Sequence, residues 1–377
     1  MQCTKFTWGE WGLFLEQVHE IRDLKQNAAQ EEENPAKSVG HADENSTGDQ
    51  PFGGVFRPGL RSRIRLLGLV HSIRLFKMYT GSTASALFET RVTPVRIDMP
   101  NHFGERLSQY QRAIENLVVD INDPYQISTI ERTALVRRIE KTNMVIYRFG
   151  PDYGQDRSAV TALTAQLGLG DPDQNLCADA DGLSSIQVHP EGVRQRYIPY
   201  TDKKLNWHTD GYYHRPDRII RTMLLHCVRP AMEGGALEAI DHEIIYGLLQ
   251  ERDPRLAEAL SQPDAMTIPE NGLSGPAFRA ECSGPVFFEE SGTLRMRYTA
   301  RKHNVVWKAD TLTQEAVAVL DEILNSSGDL IVRRSLESGE GLICANIPHR
   351  RDAFIDSRCV SERRLMYRGR YTTPLRA

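Results

Sequence analysis

Apolar and polar residues alternate over short stretches along most of the chain from residue 95 onward. Alternation with a period of two is typical of strands with one buried face, and three- to four-residue spacing is typical of amphipathic helices. The pattern predicts helices over 104–119, 128–142, 159–167, 241–250, 255–261 and 314–325. It predicts strands over 145–149, 186–189, 196–199, 219–228, 286–289, 293–299, 330–334, 341–345 and 363–372. Many short strands with intervening helices predict a mainly β protein with flanking helices, packed as a sandwich rather than a doubly wound sheet.

The first 95 residues differ in composition from the rest of the chain. Apolar residues at near-helical spacing predict an amphipathic helix over 7–28, and a run of Glu, Asn, Ser, Gly and Asp indicates a flexible linker over 29–54. Residues 1–54 hold four basic and ten acidic side chains, whereas residues 55–95 hold seven basic side chains and one acidic. We therefore predict an acidic N-terminal helix and linker, a basic amphipathic segment, and a globular domain over 96–377.

The basic residues of 57–77 are interleaved with apolar ones. Either they form a solvated helix face packed against the protein itself, or they form a surface for a membrane or a partner helix. The sequence leaves both interpretations open, and it leaves a homo-oligomer open as well.

Composition narrows the functional classes. The 377 residues are 40% hydrophobic and 25% charged, as in an ordinary globular protein. A net charge of −4 argues against a globally basic nucleic-acid-binding protein, and no apolar run approaches the ~20 residues of a transmembrane helix. The six cysteines are scattered without a C-x-x-C pair, which argues against a zinc ribbon or a disulfide framework. Because we find no secretory signal, we expect a reducing, cytoplasmic environment.

The stretch His208-Thr209-Asp210 carries the most informative chemistry. In a strand or its terminal turn, side chains two residues apart project to the same side, so His208 and Asp210 can occupy adjacent positions around one metal ion. A second histidine would complete a 2-His-1-carboxylate facial triad with positions open for oxygen and a cosubstrate. Another H-x-D occurs at His41-Ala42-Asp43, but it lies in the predicted linker and we regard it as a chance match.

The second histidine should come from a later strand, and five histidines are candidates: His214, His226, His242, His303 and His349. His214 is too close to His208 in sequence to lie on an independent strand, and His226 lies in an apolar strand, as a core residue would. His242 begins a helix, and His303 follows two basic residues, which indicates an exposed position. His349 follows the apolar stretch 341–345, and a loop that leaves a strand can present a ligand from a rigid scaffold. We therefore predict His349 as the third ligand.

Arginines are concentrated near the C-terminus. On a strand over 363–372, one face carries three arginines, Arg364, Arg368 and Arg370. The other face carries Leu365 and Tyr367. Arginine binds a carboxylate through two parallel charge-assisted hydrogen bonds, and an unpaired buried arginine is costly. An inward-facing row therefore predicts bound anions. The alternative is a surface strand whose arginines pair with Glu362 or Asp356.

Polar residues elsewhere predict a substrate pocket in which Tyr212 and Arg297 join Arg368. On a strand over 296–301, Arg297, Thr299 and Arg301 would share one face. The alternative is charge that protects a sheet edge from aggregation.

The order His208-x-Asp210, His349 and Arg364 resembles the taurine dioxygenase and 2,4-dichlorophenoxyacetate dioxygenase family of Fe(II)/2-oxoglutarate oxygenases. The resemblance spans residues 130–375. It implies a double-stranded β-helix, or jelly-roll, core and iron bound by the two histidines and the aspartate. It also implies that Arg364 holds the distal carboxylate of 2-oxoglutarate and that Arg368 faces the anionic group of the prime substrate.

The chain departs from this family at one cosubstrate contact. The family places Thr or Ser two residues after a Gly-Gly pair, whereas Gly234-Gly235 is followed by Ala236 and then Leu237. The departure leaves the arginine anchor unaffected, and the sequence leaves the second contact to 2-oxoglutarate open.

We expect a dioxygenase that uses Fe(II), 2-oxoglutarate and O2 to oxidise, by hydroxylation, an aliphatic carbon of a small anionic substrate, with release of succinate and CO2. Two alternatives on the same fold are a divalent-metal hydrolase, since zinc also accepts such ligands, and a non-catalytic metal or 2-oxoglutarate sensor. We find no glutamate base beside the triad for a hydrolase. An intact ligand set argues against a sensor.

Overall fold

Strands drawn from the whole length of the globular part pair into two main sheets. The computed structural model describes residues 103–189, 191–272 and 278–375. The predictions for 1–54, 55–95 and the H-x-D at residue 41 lie outside these residues and stay predictions. Among the described residues, no helix is both long and apolar enough to cross a membrane.

The larger sheet has six strands in the order β1, β2, β14, β5, β17, β3, and its first pair is parallel while the others are antiparallel. Its strands are β1 (Val118–Ile121), β2 (Met144–Phe149), β3 (Ser184–Ile186), β5 (Thr222–Arg229), β14 (Glu340–Cys344) and β17 (Leu365–Tyr371). The second sheet has the order β13, β7, β15, β4. Its strands are β4 (Leu205–His208), β7 (Leu237–Ala239), β13 (Val332–Arg334) and β15 (His349–Arg351).

Short strands form three small additional sheets. These are β6 (Glu233–Gly234) with β16 (Phe354–Ile355), β10 (Phe287–Glu290) with β11 (Thr293–Met296), and β8 (Met266–Ile268) with β9 (Cys282–Gly284) and β12 (Val306–Trp307). The pair β6–β16 lies at the rim of the cavity described below.

The helices are α1 (Phe103–Ile114), α2 (Thr129–Thr142), α3 (Arg157–Gln166), α4 (His242–Arg252), α5 (Pro254–Leu260) and α6 (Thr311–Ser326). Polar caps fix where several of them begin. Ser128 and Glu131 form a reciprocal capping box at α2, and Asp156 and Asp241 accept N-terminal N–H groups of α3 and α4.

The larger sheet is buried on both faces, which explains the nearly continuous apolar character of its central strands. On β14, Leu342 and Cys344 belong to the same buried cluster as Leu237 and Ala239 of β7 in the second sheet. Ile343, between them, belongs to a second cluster that includes apolar residues of α2 and α3. Side chains therefore alternate between the space shared by the two sheets and a helical layer.

The predicted class, mainly β with flanking helices, is confirmed. The strand predicted over 196–199 is wrong, because these residues lie in two short 3-10 helices, Val193–Arg196 and Ile198–Tyr200. Pro199 sits in the first turn of the latter, where its fixed φ suits a helical turn. The helix predicted over 104–119 ends at Ile114, and the unpredicted strand β1 follows.

A buried carboxylate ties the central strand to its neighbours. Glu340 accepts hydrogen bonds from Arg148, Arg334 and the backbone N–H of Glu337. Burial alone would raise the pKa of Glu340, but these donors hold the pKa below its usual value. A carboxylate of this kind stabilises the fold above its unfolded pKa of about 4.3, and this stabilisation is lost as pH falls through the folded value.

We predict that Glu340→Gln lowers the free energy of unfolding by about 1.5–3 kcal/mol at neutral pH, because charge-assisted hydrogen bonds are lost. The difference from the unsubstituted protein should shrink as the pH falls below about 4. Urea unfolding at both pH values measures this. Asp120→Asn is the control, since Asp120 also pairs with Arg148 but its side chain is 75% exposed. Equal losses in the two variants would contradict the prediction.

Candidate active site

Two strands of the smaller sheet bring two histidines together. β4 ends at His208 and β15 begins at His349, and the antiparallel register places the two residues directly opposite each other. Their ring centroids are 4.4 Å apart. His349 thus begins a strand, whereas the sequence predicted a loop at this position. His349 is held more rigidly than a loop residue would be, because β15 pairs with a strand on each side.

Asp210 lies in the turn after β4, and an asparagine fixes its backbone. Asn346 accepts a hydrogen bond from the Asp210 N–H at 2.8 Å and donates to the Asp210 carbonyl at 2.9 Å. It also donates to the Ile220 carbonyl at 2.8 Å. Asn346 itself has a φ of 52°, a conformation that asparagine tolerates better than most residues. The turn continues through Gly211, where a Cβ would come within 2.6 Å of Ile220.

The three side chains present ligand atoms toward one point. One potential ligand atom from each of His208, Asp210 and His349 lies within 4.8 Å of the others, and all three residues are buried. The Nδ1 atoms of the histidines lie 2.9 Å from the Asn206 carbonyl and 3.0 Å from the Ile347 carbonyl. A carbonyl only accepts, so each Nδ1 carries the proton and each Nε2 keeps its lone pair.

Electrostatics favour a cation at this point. Burial, with the neighbouring His349 second, lowers the pKa of His208 to about 3, and burial also lowers the pKa of His349. Burial would raise the pKa of Asp210, but Arg368 and Arg370 outweigh it and the pKa is lowered. At neutral pH the cluster is therefore two neutral imidazoles and one carboxylate. Asp210 Oδ2 is buried without a hydrogen-bond partner among the described residues. This donor set fits a divalent metal ion.

The other candidate histidines have different environments. His226 is buried, with Nδ1 3.0 Å from the Tyr147 hydroxyl and Nε2 2.9 Å from the Gly154 carbonyl, so it is the satisfied core residue that the sequence predicted. His242 Nε2 contacts the Leu294 carbonyl, His214 Nδ1 contacts the Arg218 carbonyl, and His303 is exposed.

A cavity of about 240 Å³ reaches the two histidines from between the sheets. Its apolar wall includes Leu205, Leu225, Leu237, Leu336 and Met366. Its charged lining residues are Glu233, Arg351, Arg364 and Arg368. The cavity therefore combines apolar walls, a candidate metal centre and an excess of positive charge.

Arg364 is the buried cation of this cavity with the fewest partners. Its guanidinium makes no hydrogen bond to any residue in the described ranges, and Nη1 is fully enclosed. Asp356, which the sequence offered as an ion-pair partner, instead accepts the backbone N–H of Arg364 at 2.7 Å. Burial lowers the pKa of Arg364 to about 10. The side chain stays cationic at neutral pH and is available to an anion.

The neighbouring arginines of the predicted row have acidic partners. Arg368 Nη1 donates to Asp210 Oδ1 at 3.3 Å, while its Nε is buried and has no partner in the described part of the chain. Arg370 donates to Asp173 at 2.7 Å and to the Tyr213 hydroxyl at 3.0 Å. Arg364 and Arg368 line the same cavity, as their shared face predicted.

Two predicted substrate residues lie elsewhere. Arg297 is buried outside the cavity lining, and its guanidinium donates to the backbone carbonyls of Tyr212, Met266 and Cys282. Tyr212 is also buried outside the lining, and its hydroxyl accepts from Asn304 at 3.2 Å. Tyr212 and Arg297 therefore lie outside the cavity in which the sequence predicted them, because their polar groups bond other parts of the protein.

Sequence reasoning missed Asn346 and Arg351. Both are close to His349 in sequence, and Asn346 directly precedes the Ile347-Pro348 pair, a local signal of a turn. Their hydrogen-bond partners nevertheless lie far away in the chain, which proximity to a histidine does not reveal.

Comparisons with known proteins agree with this geometry. Residues 104–370 match the model of the "Taurine catabolism dioxygenase TauD, TfdA family". A uridine-5'-phosphate dioxygenase from Streptomyces sp is 29% identical over 207 residues, covering 52% of this chain and 73% of the relative. A protein of the same name from Amycolatopsis sp is 25% identical over 210 residues, covering 49% and 70%.

Solved structures of oxygenases are also similar. An asparagine oxygenase with Fe(II), 3-hydroxyasparagine and succinate has a TM-score of 0.45 and 17% identity, covering 72% of this chain and 91% of that one. The non-heme iron oxygenase OrfP with Fe and alpha-ketoglutaric acid has a TM-score of 0.48 and 16% identity, covering 77% and 91%.

The family match extends over more than half of the chain, and both curated relatives are named dioxygenases. The protein is an Fe(II)/2-oxoglutarate-dependent dioxygenase, an oxidoreductase that uses iron, 2-oxoglutarate and O2. The resemblance predicted from the order of His208, Asp210, His349 and Arg364 is confirmed. The chain belongs to the taurine catabolism dioxygenase TauD, TfdA family.

Proposed function

We propose that His208, Asp210 and His349 hold the Fe(II) of this dioxygenase. In the same cavity, Arg364 binds the distal carboxylate of 2-oxoglutarate. Arg368 faces the anionic group of a small prime substrate, whose aliphatic carbon is hydroxylated.

The observation that carries this proposal is the pairing of two unsatisfied groups in one cavity. At one end, two Nε2 lone pairs and the Asp210 carboxylate converge, and Asp210 Oδ2 has no hydrogen-bond partner among the described residues. At another position, Nη1 of the buried Arg364 guanidinium also has no hydrogen-bond partner among the described residues. A metal ion would satisfy the first group and a carboxylate the second, and 2-oxoglutarate carries both a metal-binding oxo acid and a distal carboxylate.

The chain's own residues bind the metal and the cosubstrate, orient them, and exclude water from the site. Iron, O2 and 2-oxoglutarate together supply the oxidation, in which 2-oxoglutarate is converted to succinate and CO2. The Nδ1 hydrogen bonds keep the imidazole rings of His208 and His349 oriented, as outer contacts do for other metal-binding histidines. The leucines of the cavity wall provide a water-poor surface beside the reacting groups.

We also propose that the two main sheets form a double-stranded β-helix core. The shared buried cluster between them and the location of the cavity in that space support this arrangement.

An anionic substrate is supported by the two roles available to Arg368. One nitrogen donates to Asp210, which leaves Asp210 Oδ2 for the metal, and the buried Nε remains for a second acceptor. The curated relatives are named for a substrate, uridine-5'-phosphate, that carries a phosphate anion. Small carboxylates, sulfonates and phosphate esters are therefore the substrate classes to test.

We predict that alanine at His208, Asp210 or His349 abolishes Fe(II) binding and succinate formation, because each substitution removes one ligand atom. Iron per chain, measured after anaerobic desalting, checks this, and circular dichroism should show an unchanged fold. The exposed His303 is the control, and His303→Ala should retain iron. Full iron content in His349→Ala would rule out the proposed third ligand.

We predict that Arg364→Gln weakens 2-oxoglutarate binding roughly ten- to a hundredfold, because a charge-assisted hydrogen bond is worth about 1.5–3 kcal/mol. Anaerobic calorimetric titration of the Fe(II) protein measures the affinity. Arg363→Gln is the matched control, since Arg363 donates to the Ser357 carbonyl and does not line the cavity. A larger loss in the control than in Arg364→Gln would refute the assignment.

We predict that Arg368→Gln weakens binding of the prime substrate and leaves 2-oxoglutarate affinity near normal. Because Arg368 contacts Asp210, some loss of iron affinity should accompany the change. A screen for substrate-dependent succinate formation with uridine-5'-phosphate, amino acids, carboxylates and sulfonates would identify the substrate for this comparison. The anion-pocket assignment fails if the substrate is neutral or cationic, or if the variant loses only thermal stability.

A further inference from the structure

Arg351 lies beside Arg364 in the wall of the cavity. It is 6% exposed and stands at the end of β15, two residues after His349. The guanidinium carbons of Arg351 and Arg364 lie over the ring of Phe354, at 4.7 Å and 5.1 Å from its centroid. One aromatic ring therefore holds two buried cations in the same part of the site.

The strand register places Arg351 among leucines. It pairs with Leu237 on β7 and with Leu205 on β4, and both leucines line the cavity. Residues directly opposite each other in a sheet project to the same face. The side chain of Arg351 is thus the polar neighbour of Leu237, at the end of the ladder that also holds His349.

Neutral groups hold Arg351 in place without balancing its charge. Nε donates to the Asp352 carbonyl, and Nη2 donates to the carbonyls of Thr201 and Lys203. In the described part of the chain, Nη1 has no hydrogen bond, and neither Arg351 nor Arg364 forms an ion pair with a carboxylate. Asp352, the adjacent acid, pairs with Arg333 instead.

We propose that Arg351 is a second contact for the carboxylate held by Arg364, and that it makes the cavity selective for an oxo acid with a distal carboxylate. The proposal rests on the proposed function of Arg364. Leu237 has no hydroxyl to offer at this position, and Nη1 of Arg351 supplies the missing donor. Two fixed cations around one carboxylate also explain why two arginines are buried here without an ion pair to any described carboxylate, because burial of unpaired charge is costly.

A purely structural role would be to fasten the segment of Thr201 and Lys203 to β15. The two roles differ in their dependence on ligand chemistry. A structural arginine affects all oxo acids alike, whereas a carboxylate-binding arginine affects only those that carry the distal group.

The test compares 2-oxoglutarate with 2-oxopentanoate, which has the same carbon chain but no distal carboxylate. Binding to the anaerobic, Fe(II)-loaded full chain is measured by calorimetry. Arg351→Gln should weaken 2-oxoglutarate binding roughly ten- to a hundredfold, since it removes a charge-assisted hydrogen bond. The same variant should leave 2-oxopentanoate binding unchanged. Arg351→Lys should give a smaller selective loss, and it serves as the test if the glutamine variant does not fold.

Three further variants make the outcome specific. Arg364→Gln tests the proposed function: if it binds 2-oxoglutarate normally, that function fails regardless of Arg351. Arg350→Gln is the neighbouring control, since Arg350 donates to Glu238 and Asn325 and does not line the cavity. Ser335→Ala removes an exposed hydroxyl of the cavity lining. If Arg351→Gln weakens both ligands equally or only lowers the melting temperature, the inference is overturned. It is equally overturned if Ser335→Ala, rather than Arg351→Gln, causes the selective loss.

Discussion

The register between β4 and β15 is the constraint on which the site depends. It sets His208 opposite His349. The register shifts after this pair, so that Arg351, two residues further along β15, lies opposite Leu205 on β4 and Leu237 on β7. A slip of one residue would turn every side chain of β15 to the other face, so the imidazole would leave the metal centre and the guanidinium would leave the cavity. Pairing of β15 with strands on both sides, together with burial of the space between the sheets, prevents such a slip.

The carboxylate depends on a different kind of contact. Asp210 lies beyond the regular ladder, where backbone pairing no longer determines direction. The amide of Asn346 replaces that pairing by bonding both the N–H and the carbonyl of Asp210. Because Asn346 lies between β14 and β15, the same short connection positions both the aspartate and the second histidine. The placement of these two candidate ligands therefore depends on the conformation of this connection.

Charge is distributed unevenly along the cavity. The positive charges of Arg368 and Arg370 offset the burial of Asp210 and keep it ionised. Arg364 and Arg351 have no comparable acidic partner in the described residues, so this part of the cavity carries net positive charge. A ligand that places an anion there relieves an electrostatic cost that the folded protein already bears, and it stabilises the fold by an amount that grows with the ratio of ligand concentration to Kd.

Local spacing in the sequence was sufficient for several features. It predicted that His208 and Asp210 share a side, that Arg364 and Arg368 share a face, and that His226 is a core residue. Capping residues such as Ser128 and Asp241 also act within a few positions of the helices that they begin. These features need only the periodicity of a strand or a helix.

Tertiary structure decided which polar groups meet. Asn346 bonds a residue 136 positions away, and the position of Arg351 beside the cavity is set by its pairing with Leu237 and by the ring of Phe354 that it shares with Arg364. Arg297 looked like a pocket residue in the sequence, but distant carbonyls occupy its donors. Spacing along one strand reports which way a side chain faces relative to its neighbours in sequence. Which group that side chain contacts depends on the register and packing of segments that are far apart in the sequence.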